Sequence, residues 1–244
     1  MKVLLTVLYS LLVLPCMAQD SLNVEPQEEI ASRVYFVEPS LKLLVPQGNF
    51  SRQINRPILY GGSVAMFYQL KPARPAFVGL EVGYSQVDRY SLFWTGFFDN
   101  GDPAEFDATA TTGIFDCTLV GRYYPGLGLG NLELYVEGGF GFRWMSTAQE
   151  ITSFFMGVEE DNDFDFVEGD IGLLYSAAVG LQYALGPATY LNTKVGYMAT
   201  GSLEYLSLPE GGPQGGFALP IDAFEEQRSA TNAVRIDIGL TFVF

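Results

Sequence analysis

The sequence predicts an all-β fold, an eight-stranded antiparallel up-and-down β-barrel, on three observations. Eight stretches alternate apolar residues with polar or small ones at a period of two. The connections between them alternate between short turns rich in Pro and Gly and much longer segments. The strand count is even, and no stretch between strands carries a helical period, which is the pattern of a closed meander. Twenty-seven glycines and 14% aromatic residues suit sheets and tight turns better than helix bundles.

Taken in order, the first strand, 34–45, sets Val37, Leu41, Leu43 and Val45 against Glu38, Ser40 and Lys42. The second, 60–70, sets Val64, Met66, Tyr68 and Leu70 against Ser63, Ala65 and Gln69. The turn KPARP leads to the third, 76–87, where Val78, Leu80, Val82 and Tyr84 oppose Gly79, Glu81, Gly83 and Ser85. The fourth, 111–124, sets Phe115, Cys117, Leu119 and Tyr123 against Asp116, Thr118 and Arg122. PGLGLG then turns into the fifth, 131–145, which alternates Leu132, Leu134, Val136, Phe140, Phe142 and Trp144 with Glu133, Glu137, Gly139, Gly141 and Arg143. The sixth, 171–185, and seventh, 189–200, flank the turn GPA and place Gln182, Asn192 and Lys194 on the polar face. The last, 233–244, alternates Val234, Ile236, Ile238, Leu240, Phe242 and Phe244 with Arg235, Asp237 and Gly239.

Alternation alone does not say which face meets water. The polar face mixes small residues with charges of both signs: Glu38, Lys42, Glu81, Asp116, Arg122, Glu133, Glu137, Arg143, Lys194, Arg235 and Asp237. On a solvated surface such near-balance and so many small residues have no purpose. Inside a narrow eight-stranded barrel both are required, because the charges need partners and the large side chains need space. The strands, at ten to fifteen residues, exceed the roughly 9–11 that cross a bilayer at a tilt. Aromatic residues near the strand ends (Tyr123, Tyr124, Trp144, Tyr183, Tyr190, Phe244) suit the lipid–water interface. The expectation is a transmembrane barrel with its apolar face in lipid and its charged face in the lumen.

These features resemble the small eight-stranded outer-membrane β-barrels, namely the OmpA transmembrane domain, the OmpX type and the PorT-like family. The resemblance implies short periplasmic turns, long extracellular loops, both termini in the periplasm, and a place in the outer membrane. The final LTFVF resembles the signal read by the outer-membrane assembly machinery, which would give Phe242 and Phe244 the role of an assembly address. The PorT-like likeness implies a place near secretion or assembly machinery.

The first residues carry Lys2, an apolar run from Val3 to Leu14 and small residues before Gln19, the pattern of a secretory signal cleaved after Ala18. The expected organisation is a signal peptide over 1–18, a short periplasmic segment over 19–32 and the barrel over 33–244. Beyond that leader the one cysteine is Cys117, so no disulfide framework holds the fold.

The chemistry is constrained by what is missing. The chain has no histidine, the residue on which the enzymatic outer-membrane barrels similar in fold depend, so no catalytic residue is assigned and the protein is expected not to be an enzyme. A formal charge of −15 disfavours nucleic acid, and no cofactor is implied. The acidic run EEDNDFDFVEGD, 159–170, has the alternate spacing of a calcium loop, but Phe166 stands where the sharp turn needs glycine, so no metal site is assigned. GLGLGN reads as a turn rather than a phosphate loop.

The long connections hold most of the acid: four in 90–109, eight in 149–170 and five in 201–230, against the single base Arg228. They also carry apolar residues unusual for exposed tips, including Phe93, Trp94, Phe97, Phe98, Phe154 and Phe155. Such loops fold over the barrel mouth or are covered by a partner, and the sequence leans towards an envelope protein partner. The expected function is a structural or interaction subunit. The alternative is a small transport barrel for small or apolar molecules, disfavoured because side chains fill an eight-stranded lumen.

Overall fold

The computed structural model describes residues 34–54, 56–70, 75–97, 103–155, 158–209 and 219–244. The expected leader and the segment 19–32 lie outside the described residues, as do most of the KPARP turn and Phe98. In chain order the strands are β1 (Tyr35–Pro46), β2 (Leu59–Gln69), β3 (Ala76–Phe97), β4 (Pro103–Tyr123), the two-residue β5 (Gly128–Leu129), β6 (Leu132–Phe155), β7 (Val158–Ala184), β8 (Thr189–Thr200), β9 (Ser202–Ser207), β10 (Glu225–Ala230) and β11 (Ala233–Val243). A one-turn helix α1 (Phe50–Gln53) follows β1, and a 3-10 turn (Pro220–Ala223) precedes β10.

Eight of these strands close a ring. Neighbours in sequence pair antiparallel, β1 also pairs with β11, and β4 pairs with β6. Closure removes the unpaired edges of the sheet within the ring. The C-terminus is part of the ladder: the N–H of Phe244 donates to the carbonyl of Tyr35 at 2.8 Å, and the N–H of Tyr35 donates back at 3.3 Å. One end carries the short turns, the start of β1 and the C-terminus, and is called lower. In its GLGLGN turn, Gly126 and Gly130 adopt φ of 72° and 64°, which other residues reach only with strain. The upper end carries the long connections.

Two of those connections are not loops. β3 runs ten residues past the expected limit of its strand to Phe97, and β4 begins at Pro103. β6 and β7 continue to Phe155 and from Val158, so the acidic run belongs to a strand. β4 and β6 stay paired as far as Glu105 and Phe154. The four strands β3, β4, β6 and β7 therefore rise above the ring as a half-wall, by roughly 30 Å along the strands at about 3.3 Å per residue. On β7 the acid-rich sequence, poor in strand propensity, hid this from the periodicity, and on β3 a register shift between Gln86 and Asp88 did so. The other four wall strands stop at Pro46, Leu59, Thr200 and Ala233. The β9–β10 hairpin pairs from Ser202 with Ala230 to Ser207 with Glu225 and packs on the half-wall.

Candidate functional site: a packed lumen beneath an acidic half-wall

Cross-strand register assembles the lumen. Lys42 on β1 stands opposite Asp237 on β11, and Asp237 opposite Lys194 on β8. Asp116 on β4 faces Arg143 on β6, and Arg122 faces Glu137. Opposite charges directly across an antiparallel pair are the favourable arrangement. All ten residues Glu38, Lys42, Glu81, Asp116, Arg122, Glu137, Arg143, Lys194, Arg235 and Asp237 are buried, none more than 7% exposed. Glu133, expected among them, has the correct face but is exposed at the lower rim. Its departure leaves five acids with five bases, a neutral set.

The contacts form one connected network. Arg122 donates to both carboxylate oxygens of Glu38 at 2.7 and 3.0 Å, and through Nε and Nη2 to Oε2 of Glu137 at 3.0 and 2.7 Å. Its guanidinium lies between the rings of Phe67 and Tyr135, 4.2 and 4.1 Å from their centres. Lys194 reaches Glu81 at 2.8 Å, Glu137 at 3.0 Å and Asp237 at 3.5 Å. Arg235 bridges Glu81 at 2.7 Å and the adjacent Asp237. Arg143 grips Asp116 with two bonds, at 2.7 and 3.1 Å, and donates to the carbonyl of Thr231 at 2.6 Å. Lys42 lies 3.4 Å from Glu81 and 3.5 Å from Asp116. Small residues make room: a Cβ at Gly83 would strike the Lys42 ammonium, and one at Gly180 the Tyr135 ring.

Below the charges, polar side chains extend the network. Tyr135 donates to Asn192 at 2.6 Å, Asn192 donates to Glu38 at 2.6 Å, and Tyr124 donates to Gln182 at 2.8 Å. Tyr124 therefore points into the lumen, not into an outer aromatic belt; its parity with Arg122 on β4 already required this. Above the charges lies an apolar plug of Leu44, Phe50, Leu59, Ile114, Met145, Leu174, Met198, Leu203 and Tyr205. It was not evident from the alternation of the strands. Its signal was a large apolar residue at a polar-face position near the upper end of several strands, as at Leu44, Ile114, Met145 and Leu174.

The upper region is bound together differently. The hydroxyl of Thr112 donates to the carbonyl of Leu206 at 2.8 Å, and the N–H of Leu208 to Asp88 at 3.2 Å. Tyr205 meets Gln53 and Ser229 through its hydroxyl at 2.9 and 2.8 Å. Leu208, Ala223 and Phe224 are buried against Ala110, with Tyr90 and Ile221 at the margin. The described part of the fourth long connection thus covers the mouth itself. Burial holds the Asp88 carboxyl above the usual carboxylate range, although the Leu208 N–H and Arg56 act in the opposite sense.

Among the residues expected to meet a partner, Phe93 is exposed, whereas Trp94 is stacked on Phe106 with ring centres 5.3 Å apart. Phe154 is half-buried on β6, Phe97 and Phe155 end β3 and β6, and Phe98 lies outside the described residues. Phe164 and Phe166, on β7, are exposed and were not singled out by sequence.

The outer face of the ring is the reverse of a soluble surface. Leu41, Met66, Leu80, Leu119, Phe140, Leu173, Val179, Val195 and Ile238 are each more than half exposed, while every charge of the polar face except Glu133 is buried. A continuous apolar girdle of this kind around a polar interior is stable only in lipid. The chain is an eight-stranded transmembrane β-barrel. Tyr35, Tyr68, Tyr123, Tyr183 and Phe244 mark the lower edge of the girdle, and Tyr60, Tyr84 and Trp144 the upper. No described helix is long and apolar enough to cross a membrane.

No family model matches this barrel, and no curated protein matches it by sequence. Among solved structures it is similar to a major outer membrane protein from Thermus thermophilus, at 14% identity over 87% of this chain and 100% of that one, with a TM-score of 0.49. It is similar to Neisserial surface protein A at 8% identity over 87% and 99%, TM-score 0.45. It is also similar to Escherichia coli outer membrane protein W at 14% identity over 88% and 100%, TM-score 0.42. The membrane assignment rests on the barrel's own burial pattern.

Proposed function

We propose that the protein is a non-enzymatic outer-membrane barrel whose upper half-wall docks an envelope partner, with both termini in the periplasm. One observation carries this reading: the lumen is packed shut, while half of the wall is extended far above the girdle. A closed lumen gives the ring no passage to offer a solute, which counts against the transport alternative. A rigid, charge-locked ring is a suitable mount for a projecting sheet. That sheet exposes Phe93 on one edge strand, and Phe164 and Phe166 on the other beside Asp163 and Asp165, and exposed aromatics set among polar residues are the usual composition of a docking surface. The lack of histidine supports a role without turnover.

The test is mild-detergent purification of the tagged protein from its native membrane, with quantitative mass spectrometry of what accompanies it. A stoichiometric companion is expected, and it should be lost from the Phe93→Ser, Phe164→Ser double variant while the barrel stays folded. Recovery of the bare, folded barrel from wild type would overturn the reading.

A further inference from the structure

Above the ring, β7 has no ladder partner among the described residues on the side away from β6, although β9 packs close to its lower part, where the N–H of Glu204 donates to Asp170 at 2.9 Å. From Leu174 downward it pairs with β8, but at Asp163 to Glu168 its ladder partner among the described residues is β6 alone. An open edge leaves every second N–H and C=O pointing outward, a template for another strand. The opposite edge of the half-wall, on β3, differs: the Pro220–Ala223 turn packs beside it, with Ile221 and Tyr90 in one apolar cluster. It also carries Arg89 and no acidic alternation.

The two faces of the β7 edge have distinct chemistry. Pairing places Asp165 opposite Gln149 and Glu168 opposite Thr147, so Asp163, Asp165 and Glu168 line the concave face. Phe164 and Phe166 point outward, and Phe166 packs beside Trp144 just above the girdle's upper edge, with ring centres 5.9 Å apart. Asp170, Glu204 and Glu226 lie close enough to Glu168 that, after burial, their repulsion holds its carboxyl above the usual range. The nearby cation Arg228 is already paired with Glu204 at 2.9 Å. No group of three such carboxylates among the described residues converges as metal ligands. The edge is therefore a line of negative charge, not a cation cage. It repels a second copy of this acidic chain and rewards positive charge placed at every second residue.

We propose that the β7 edge at Asp163 to Glu168 accepts a basic, extended segment of another protein as an added strand, its Lys or Arg side chains facing the acids and its apolar side chains flanking Phe164 and Phe166. This rests on the docking reading above and specifies the chemistry of the partner.

The probe is a fluorescent peptide alternating Lys and Val, added to the full-length barrel in lipid nanodiscs, with anisotropy and amide hydrogen exchange as readouts. Saturable binding is expected, with slowed exchange confined to the β7 edge. Asp163→Lys with Asp165→Lys, both exposed and remote from the lumen, should weaken binding at least about tenfold, since two like-charge contacts replace two attractive ones. A peptide of the same charge with proline at alternate positions should not bind. Equal binding of the proline peptide, or protection elsewhere, would overturn the proposal by reducing it to general attraction of charge. The two readings fail separately. A native companion that survives the lysine variant but not the Phe93→Ser, Phe164→Ser variant would sink the edge proposal alone. Absence of any companion, with the peptide still bound at the edge, would sink the docking reading alone.

Discussion

The ring and the half-wall are built from the same strands, yet they solve opposite problems. In the ring each strand has two neighbours, and its inward charges are sealed from water and cancel one another. In the half-wall the outer strands have one neighbour each, and acids such as Asp163 and Asp165 remain exposed and uncancelled. The difference teaches that alternation has no fixed meaning. On β6 below Met145, the inward residues are small, ion-paired or, at Tyr135, hydrogen-bonded; above it, Thr147, Gln149 and Ser153 are buried but uncharged. Gln149 accepts from the N–H of Ile221 at 3.2 Å. Lipid and closure impose the first rule; water and an open edge impose the second.

The contrast is broken most strongly inside the ring. Arg122→Met removes the cation shared by Glu38 and Glu137 and leaves two carboxylates buried without it. The expected loss is about 3–5 kcal/mol in reversible urea unfolding from lipid vesicles. Adding Glu38→Gln and Glu137→Gln should recover part of that loss, because neutral amides need no counter-charge. An Arg122→Met protein as stable as wild type would mean that the network is not sealed from water.

A second comparison places the same charge on the two outer faces. Phe140, beside Leu119 at the level of the charge network, should tolerate arginine badly, at a cost of about 2–4 kcal/mol near the bilayer midplane. Phe164→Arg on the half-wall should stay within about 0.5 kcal/mol of wild type, as surface substitutions do. Equal penalties would place both residues in lipid, or neither.

The smallest effect concerns the docked hairpin. A carboxyl whose value is raised by burial binds its proton more tightly in the docked state than in the open one. Docking should therefore weaken as pH rises from the ordinary aspartate value through the raised value of Asp88, and strengthen as pH falls through that window. Amide exchange at Leu208, followed across it, should show the trend in wild type and lose it in Asp88→Asn.

Much of the ring was legible because lipid enforces a strict period of two. Strand number, order and closure follow from parity together with the alternating turn lengths, and the inward direction of all ten network residues from parity together with their near-balanced charge. Glu133 shares that parity but lies past the last sealed level, and parity does not report depth along a strand. The half-wall was illegible for two physical reasons. β7 is acidic and polar there, so it lacks the girdle that makes the pattern visible, and bulges shift the period by one residue, between Gln86 and Asp88 on β3 and at Val167 on β7, where Thr147 pairs with Glu168 and Ala148 with Phe166. The apolar plug was hidden in the same way, since large apolar residues at inward positions look like errors until the β9–β10 hairpin is seen to fill the mouth.

The most direct test of the inside-out ring beneath an exposed wall is a cysteine scan of β6 in a Cys117→Ser background. Single substitutions Val136→Cys, Phe140→Cys, Phe142→Cys, Glu150→Cys and Thr152→Cys would be challenged with a water-soluble maleimide and with a lipid-borne spin quencher. The expected result is a switch above Trp144, with positions 136, 140 and 142 quenched from lipid and unreactive to maleimide, and 150 and 152 the reverse. Maleimide labelling at 140 as fast as at 150 would contradict the account, because it would put water where the structure requires lipid.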